Sequence, residues 1–395
     1  YLVSLHEYVL MYAKNIEMLD EIYIPLAEES IDRYYKQRDE KFEVRGPYRT
    51  HPLEAGKAMD ERVNLVYPIT APDGTEILPQ RQWLWGKERA FEALKNNELE
   101  FINGKNGWTV HSKQYLKDEN GEIRQGKAFS IIDDIYTQHG TNEAIEVLGN
   151  AKIFSYPKPS TFIKKLLEIS GNLKSNDLIL DFFSGSATTA HAVIKLNSED
   201  GGNRKFICVQ LPEITGEESD AFQVGYKNIC EIGKERIRRA GEKIIAENSD
   251  KDLSNLDIGF KVLKLDSSNI KAWDSNFENV EGSLLDAVEN IKEDRSSEDL
   301  LYEILLKYGL DLTLPIEEKV IDGKKVFVIG YGALVACLDD DITISTVEAI
   351  AKLKDHYQSE IMRVVFKDAS FKDAVVKTNA YQILKQFGID EVVSV

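Results

Sequence analysis

The residues whose types and spacing point most directly to chemistry lie between 178 and 191, Leu-Ile-Leu-Asp-Phe-Phe-Ser-Gly-Ser-Ala-Thr-Thr-Ala-His. An apolar strand, Leu178 to Phe183, carries an acid at Asp181 and runs through the small-residue turn Ser184-Gly185-Ser186-Ala187 into a helix starting near Thr188. Small turn residues let the backbone approach a ligand closely, and the amides of a helix N-terminus favour a carboxylate or polar group. Thr188 or Thr189 is placed to cap that helix. The pattern predicts a nucleotide-type cofactor loop, although taken alone it also fits a plain βα turn of an α/β protein. There is no Gly-Lys-Ser/Thr to meet a triphosphate, and the glycine spacing is not that of a dinucleotide fingerprint. If residue 187 needs a positive φ, its alanine costs on the order of 1 kcal/mol.

The elements that must position this loop follow a strand, helix, strand, helix order. After Ile153-Phe154-Ser155-Tyr156 and Pro157-Lys158-Pro159-Ser160 comes a helix with apolar residues at Phe162, Ile163, Leu166, Leu167 and Ile169. The loop strand and its helix lead to a second strand, Lys205 to Gln210, and to a long charged helix from about Gly225 to Glu247. This order predicts a parallel doubly wound sheet whose ligand crevice lies at the carboxyl ends of the strands. Farther on, a connecting region near 270–295 precedes a smaller α/β domain. It has a helix at Glu298 to Tyr308, a hairpin around Ile321-Asp322-Gly323-Lys324-Lys325, and strands at Leu334 to Leu338 and Met362 to Phe366. Ahead of the core, Tyr8 to Asn15 alternates apolar and polar residues as a half-buried strand would.

The 395 residues suffice for two or three domains, and 43% hydrophobic with 29% charged residues is ordinary soluble composition. No apolar run approaches a membrane span, and the opening residues lack a basic leader and cleavage site, so no membrane partner is expected. A first residue other than Met suggests a fragment. Cys208, Cys230 and Cys337 stand singly with no metal-ligand spacing, which fits a reducing cytoplasm.

A net charge of −18 argues against indiscriminate DNA binding, but the charge is unevenly spread. Residues 245–303 hold fifteen acids against six Lys/Arg, whereas 33–57 hold seven Lys/Arg against four acids. Within 28–150 the cations interleave with aromatics, as in Arg33, Tyr34, Tyr35, Lys36, Arg38, Arg45, Tyr48 and Arg49. Arg33, Lys36, Arg38, Arg45 and Arg49 are therefore the candidate DNA contacts, with a solvated basic face over core aromatics as the structural alternative.

Taken together these segments resemble the modification subunit of Type III restriction-modification systems, a permuted-class, adenine-specific DNA methyltransferase. The resemblance is carried by His6 to Asn15, Trp83-Leu84-Trp85, Gly140-Thr141-Asn142-Glu143, Tyr156-Pro157-Lys158-Pro159, Leu180 to Ala192, Gly201 to Glu213, Leu265 to Asn269, Arg295 to Leu301 and Lys377 to Ala380. Phe183-Ser184-Gly185-Ser186-Ala187 matches the family's Phe-x-Gly-x-Gly loop with Ala187 at its last glycine.

The resemblance implies an incomplete Rossmann-like, S-adenosylmethionine-dependent methyltransferase sheet, an inserted DNA target-recognition domain and a small C-terminal α/β domain. The ranges it suggests are 1–27 for the end of an N-terminal methyltransferase segment and 28–150 for target recognition. They continue with 151–270 for the S-adenosylmethionine-binding core and 271–395 for interaction or dimerisation. It further implies methyl transfer from S-adenosyl-L-methionine to the exocyclic amine of a flipped adenine. The family's Asp-Pro-Pro-Tyr tetrapeptide is missing, since the chain holds no Pro-Pro pair, and in the permuted order it would lie before Tyr1. No catalytic residue is therefore assigned.

The implied cofactor residues are Lys158, Pro159 and Ser160 near the carboxylate, and Asp181, Phe183, Ser184, Gly185, Ser186, Thr188 and Thr189 around the methionine end. Either Gln210 or Glu213 would serve the ribose. Leu211 and Pro212 would contact the adenine ring, and Asp266, after the strand-like stretch Phe260 to Leu265, either meets its amino group or serves a strand end. The implied partners are double-stranded DNA, a second modification subunit in a homodimer, and a restriction helicase/endonuclease subunit in a bacterial cytoplasm. A DNA-recognition or assembly module without turnover is the alternative for this stretch of chain.

Overall fold

The computed structural model describes residues 6–19, 22–56, 59–170, 175–271, 282 and 290–395. Most of the connecting region near 270–295 lies outside the described residues. Two compact units are present, Tyr1–Gly259 and Phe260–Val395.

In the first unit, β1 (Tyr23–Pro25) pairs antiparallel with β7 (Gln125–Lys127), which brings together the two ends of the stretch between them. That stretch holds α1 (Glu28–Tyr34), α2 (Phe42–Arg45), β2 (Tyr48–Pro52), β3 (Ile69–Thr70), β4 (Glu76–Ile77), α3 (Lys87–Lys95), β5 (Leu99–Gly104) and β6 (Gly107–Tyr115). The strands β2, β6 and β5 form an antiparallel sheet in that order. Period-two alternation turns Leu99 and Val110 into a core with Leu53, Tyr67, Ile69 and Trp83, and the Trp83 indole donates to the Tyr67 carbonyl at 2.8 Å.

The second half of this unit carries α4 (Thr137–Leu148), α5 (Ser160–Ile169), β8 (Leu178–Asp181), α6 (Thr188–Asp200), β9 (Lys205–Cys208), α7 (Asp220–Gln223) and α8 (Ile229–Glu247). The strands β8 and β9 pair in parallel, and among the described residues they form a sheet of two. The return from α6 to β9 is tightly set. Gly201 ends α6 in the left-handed region at φ 70°, and Asn197 both donates to the Arg204 carbonyl and accepts from its amide. At the far end Asn228 caps α8, which begins four residues later than the Gly225 start expected from its charge pattern. Gly225 itself sits at φ 101°.

Two expected strands do not form. Tyr8 to Asn15 is irregular, with Tyr8, Leu10 and Tyr12 all more than three-quarters exposed. Phe260 to Leu265 is likewise irregular. Alternation makes a strand only where a neighbouring strand takes up its backbone groups, and neither stretch is paired in a sheet among the described residues.

The second unit is a three-layer α/β domain. It comprises α9 (Ser297–Lys307), β10 (Ile316–Ile321), β11 (Lys324–Ile329), β12 (Leu334–Cys337), α10 (Ile344–Ala351), α11 (Leu353–Tyr357), β13 (Arg363–Phe366), α12 (Ala374–Gln386) and β14 (Glu391–Ser394). Its sheet order is β10-β11-β12-β13-β14, antiparallel over the first three strands and parallel over the last three. The hairpin turns at Asp322 and Gly323, both at positive φ, as a two-residue Asp-Gly loop requires. Val326, Val328, Val335, Cys337, Val364 and Phe366 face α10 and α12. Phe327, Ile329, Leu334, Ala336 and Val365 face α9. A sheet buried on both faces explains why these strands read as continuous apolar runs.

Candidate functional site

The loop between β8 and α6 crosses the carboxyl end of β8 beside the carboxyl end of β9. Gly185 and Ala187 both take the left-handed region, at φ 51° and 60°. Such a pair reverses the chain within one turn and brings backbone rather than side chains to the surface of the loop. Three bonds fasten it. The Ser184 amide donates to the Val209 carbonyl at 3.2 Å, the Ala187 amide to the Ser184 carbonyl at 2.7 Å, and the Gly185 amide to Gln210 Oε1 at 2.7 Å. A Cβ on Gly185 would stand 3.3 Å from Phe154 Cζ.

The expected threonine cap is absent. Ala187 occupies the N-cap of α6 without a side-chain bond, because its left-handed conformation moves the cap one residue ahead of the hydroxyls. Thr189 instead donates to Asp181 Oδ2 at 2.5 Å, and Thr188 accepts from Arg236 at 2.7 Å. Ala187→Gly is expected to raise unfolding stability by up to about 1 kcal/mol, since relief of left-handed strain exceeds the added unfolded-chain entropy and the lost methyl contact. Denaturant unfolding checks this.

Behind the loop lies a charged cluster that the sequence reading did not single out. Arg236 is fully buried in α8 and donates to Ser186 Oγ at 2.9 Å, Thr188 Oγ1 at 2.7 Å and Glu143 Oε1 at 2.7 Å. His191 Nδ1 stands 2.7 Å from the same Glu143 oxygen. The other oxygen, Oε2, accepts from the Ser160 amide at 2.8 Å. Burial would raise the Glu143 carboxyl, but His191, Arg236 and the Ser160 amide together hold it down to about 2. Burial lowers His191 and keeps it neutral, against the pull of Glu143. One signal was available for Arg236. It falls on the i, i+4 line Ile232, Arg236, Ala240, Ile244, every member of which is buried.

The structure brings Asp181, Ser184, Gly185, Ser186, Thr188 and Thr189 together, with Phe183 exposed at the loop's rim. A groove of about 300 Å³ runs beside it, lined by Ile163, Leu166, Leu167, Asp181, Phe182, Phe183 and Thr189. Pro159 and Ser160 open α5, and the Lys158 ammonium lies 2.5 Å from Glu7. Of the two ribose candidates, Gln210 has its Oε1 bonded to the Gly185 amide, while Glu213 is exposed. Leu211 and Pro212 are exposed beside them. Asp266 belongs to the second unit, where Arg295 stands 3.5 Å away. Burial pushes the Cys208 thiol up to about 11, so it is no nucleophile at neutral pH.

The basic candidates lie along 33–49. Arg33, Lys36 and Arg38 are exposed, with Arg33 over Tyr34 and Arg38 over Phe42. Arg49 donates to Gln114 and lies over Tyr35. Arg45 is turned inward, 3.3 Å from Glu98 and over the Tyr115 ring.

Residues 1–240 match the family model described as DNA methylase. The chain belongs to the DNA methylase family. The matched range contains the β8–α6 loop and the whole Glu143, His191 and Arg236 cluster. This methylase-family chain is 32% identical over 255 residues to the Type III restriction-modification enzyme StyLTI Mod subunit of Salmonella typhimurium, covering 65% of the chain and 37% of that protein. It is 31% identical over 288 residues to the EcoPI Mod subunit of Escherichia phage P1, covering 65% and 42%. Type II methyltransferase M.KpnI of Klebsiella pneumoniae is 30% identical over 260 residues, covering 60% and 57%. The chain thus spans less than three-fifths of the length of each of these relatives.

Proposed function

We propose that this methylase-family chain is part of the modification subunit of a Type III restriction-modification system and transfers a methyl group to adenine in double-stranded DNA. The observation that carries the reading is the loop from β8 to α6. Its two left-handed residues sit at the carboxyl ends of parallel strands, within the range that matches the DNA methylase model. The Mod subunits that it resembles supply the system.

The methyl donor proposed for this loop is S-adenosyl-L-methionine, which when bound supplies an electrophilic methyl group. The residues fit such a group. Gly185, having no side chain, lets a ligand approach the backbone beside the uncapped start of α6, the apolar groove lies alongside, and Lys158 and Ser160 would stand toward the carboxylate end. Asp181, through Thr189, and Ser184, through Val209, fix the turn. Glu213 is the proposed ribose acceptor, Gln210 being occupied in closing the loop. Residues 28–150 are proposed as the target-recognition domain, with Arg33, Lys36, Arg38 and Arg49 meeting phosphates and Arg45 bracing the aromatic Tyr115. Of the expected range 151–270, the part up to Gly259 would be the Rossmann-like core, Phe260 onward belonging to the second unit, and 271–395 would be the surface for a second modification subunit and for the restriction subunit. Among the described residues no helix is long and apolar enough to cross a membrane, and a cytoplasmic location is proposed.

The test is calorimetric binding of S-adenosylmethionine to the full-length natural protein, with transfer of labelled methyl to duplex DNA. Binding, with label in adenine and none in RNA, is expected. Gly185→Arg should abolish both, because a left-handed φ of 51° and a Cβ 3.3 Å from Phe154 Cζ strain any side chain there and the long cation would cross the loop. Absence of binding by the wild-type protein overturns the reading.

A further inference from the structure

We infer that Arg236, Glu143 and His191 form a positioning unit that fixes the 158–160 segment and the 184–189 loop in one geometry, and that methyl-donor affinity depends on Arg236 although Arg236 lies behind the site. The dependence on a methyl donor rests on the function proposed above; the coupling of the two segments does not.

The first argument is cost. A fully buried guanidinium loses several kcal/mol of hydration, and an apolar residue would pack the same helix stripe without that loss. Its Nε is buried without a partner, so the site is not arranged to satisfy the arginine for its own sake. The donors that are satisfied go to three points: a loop hydroxyl, the first residue of α6, and a carboxylate on α4.

The second argument is connectivity. Glu143 uses one oxygen for Arg236 and His191, and the other for the amide that opens α5 directly after Lys158-Pro159. One carboxylate therefore joins α4, α5, α6 and α8. A shift of the 184–189 loop must move Ser160, or else break a charge-assisted bond in a dry interior.

The third argument is polarity. A guanidinium only donates, so the oxygens of Ser186 and Thr188 are used as acceptors and each hydroxyl keeps its proton for an acceptor elsewhere. The buried Ser186 and Thr188 hydroxyls are thereby held in one orientation at the start of α6.

Arg236→Lys and Glu143→Gln in the full-length protein test this, alongside Arg236→Met as a volume-matched control. Lysine keeps the charge but has a single nitrogen, whereas Arg236 uses Nη1 for both hydroxyls and Nη2 for Glu143 in a fixed fork. Arg236→Lys is expected to weaken S-adenosylmethionine binding about tenfold or more, the loss of one hydrogen bond to a charged group, and to raise KM for the donor more than it lowers kcat. Hydrogen exchange should quicken in both 158–163 and 184–189 in Arg236→Lys and in Glu143→Gln. A folded Arg236→Lys protein that binds the donor as the wild type does overturns the dependence on Arg236. Exchange that quickens in only one segment overturns the coupling, as does a Glu143→Gln protein whose exchange matches wild type. Should all variants unfold, exchange measured on the wild type still decides, since coupled segments must open with the same free energy. Wild-type protein that fails to bind the donor sinks the proposed function instead, and leaves the exchange comparison to judge the coupling.

Discussion

Gly140→Ala is expected to destabilise the first unit by about 3 kcal/mol or more, at the upper end of what overpacking costs. In a helix interior this exchange normally adds stability, by roughly 1 kcal/mol. Here a Cβ would lie 2.0 Å from the Pro157 carbonyl oxygen, 2.9 Å from its carbon and 3.0 Å from the Lys158 carbonyl carbon. All three are backbone atoms and cannot rotate aside. Either α4 withdraws or the 157–158 backbone moves. Glu143, less than one turn farther along α4, then loses its hold on Ser160. Gly216→Ala, at a position with no atom within 4 Å and no positive φ, is the control and should stay within about 0.5 kcal/mol of wild type. Hydrogen exchange in the first unit reads both, because a chain of two compact units need not unfold in a single step. A Gly140→Ala protein as stable as its parent would mean that α4 and the 157–158 segment do not meet.

The second large effect is a loss of stability with acid in two separate windows. Burial lowers the folded His191 below its ordinary 6.5, so the unfolded chain binds the extra proton first and stability falls as pH drops through 6.5. The charged groups facing it are Glu143, Arg236 and Lys195. Glu143 is held down to about 2 in the folded chain against 4.5 ordinarily. Its contribution is full above pH 4.5 and disappears as pH falls toward 2, at most about 3 kcal/mol. The three groups titrate as one system, so the windows belong to the cluster. His191→Gln should flatten the profile between pH 7 and 5 and shrink the lower window, because His191 is among the groups that hold Glu143 down. Glu143→Gln should remove the lower window and cost about 3–5 kcal/mol at neutral pH, because Arg236 is left buried without its carboxylate. A wild-type profile flat from pH 7 to 3 would refute the burial of the cluster.

Both effects involve residues that the sequence presents unequally. The β8–α6 loop could be read because its signals are local: an apolar strand, small residues and a helix within fourteen positions. The strain at Ala187 was conditional on a positive φ, and φ is 60°. The C-terminal hairpin and strands were legible for the same reason, with Asp322-Gly323 as the turn and apolar runs on either side. Arg236 was not legible, because its partner Glu143 stands ninety-three positions away and a charge on a long polar helix normally faces water. Tyr8 to Asn15 misled because alternation records which side of a strand would be apolar without supplying the strand beside it. Arg45 shows the same limit. Its charge suggested phosphate, whereas folding brought Glu98 and Tyr115 against it.

The parallel pair β8–β9 of the first unit has a practical consequence. Parallel pairs ordinarily lie inside larger sheets covered on both faces. Here Leu178 and Leu180 on β8, with Ile207 and Val209 on or just beyond β9, are 46–60% exposed along one short ribbon. A ribbon of that composition is adhesive. Its edges and faces are of the kind that further strands and covering helices occupy in a larger sheet.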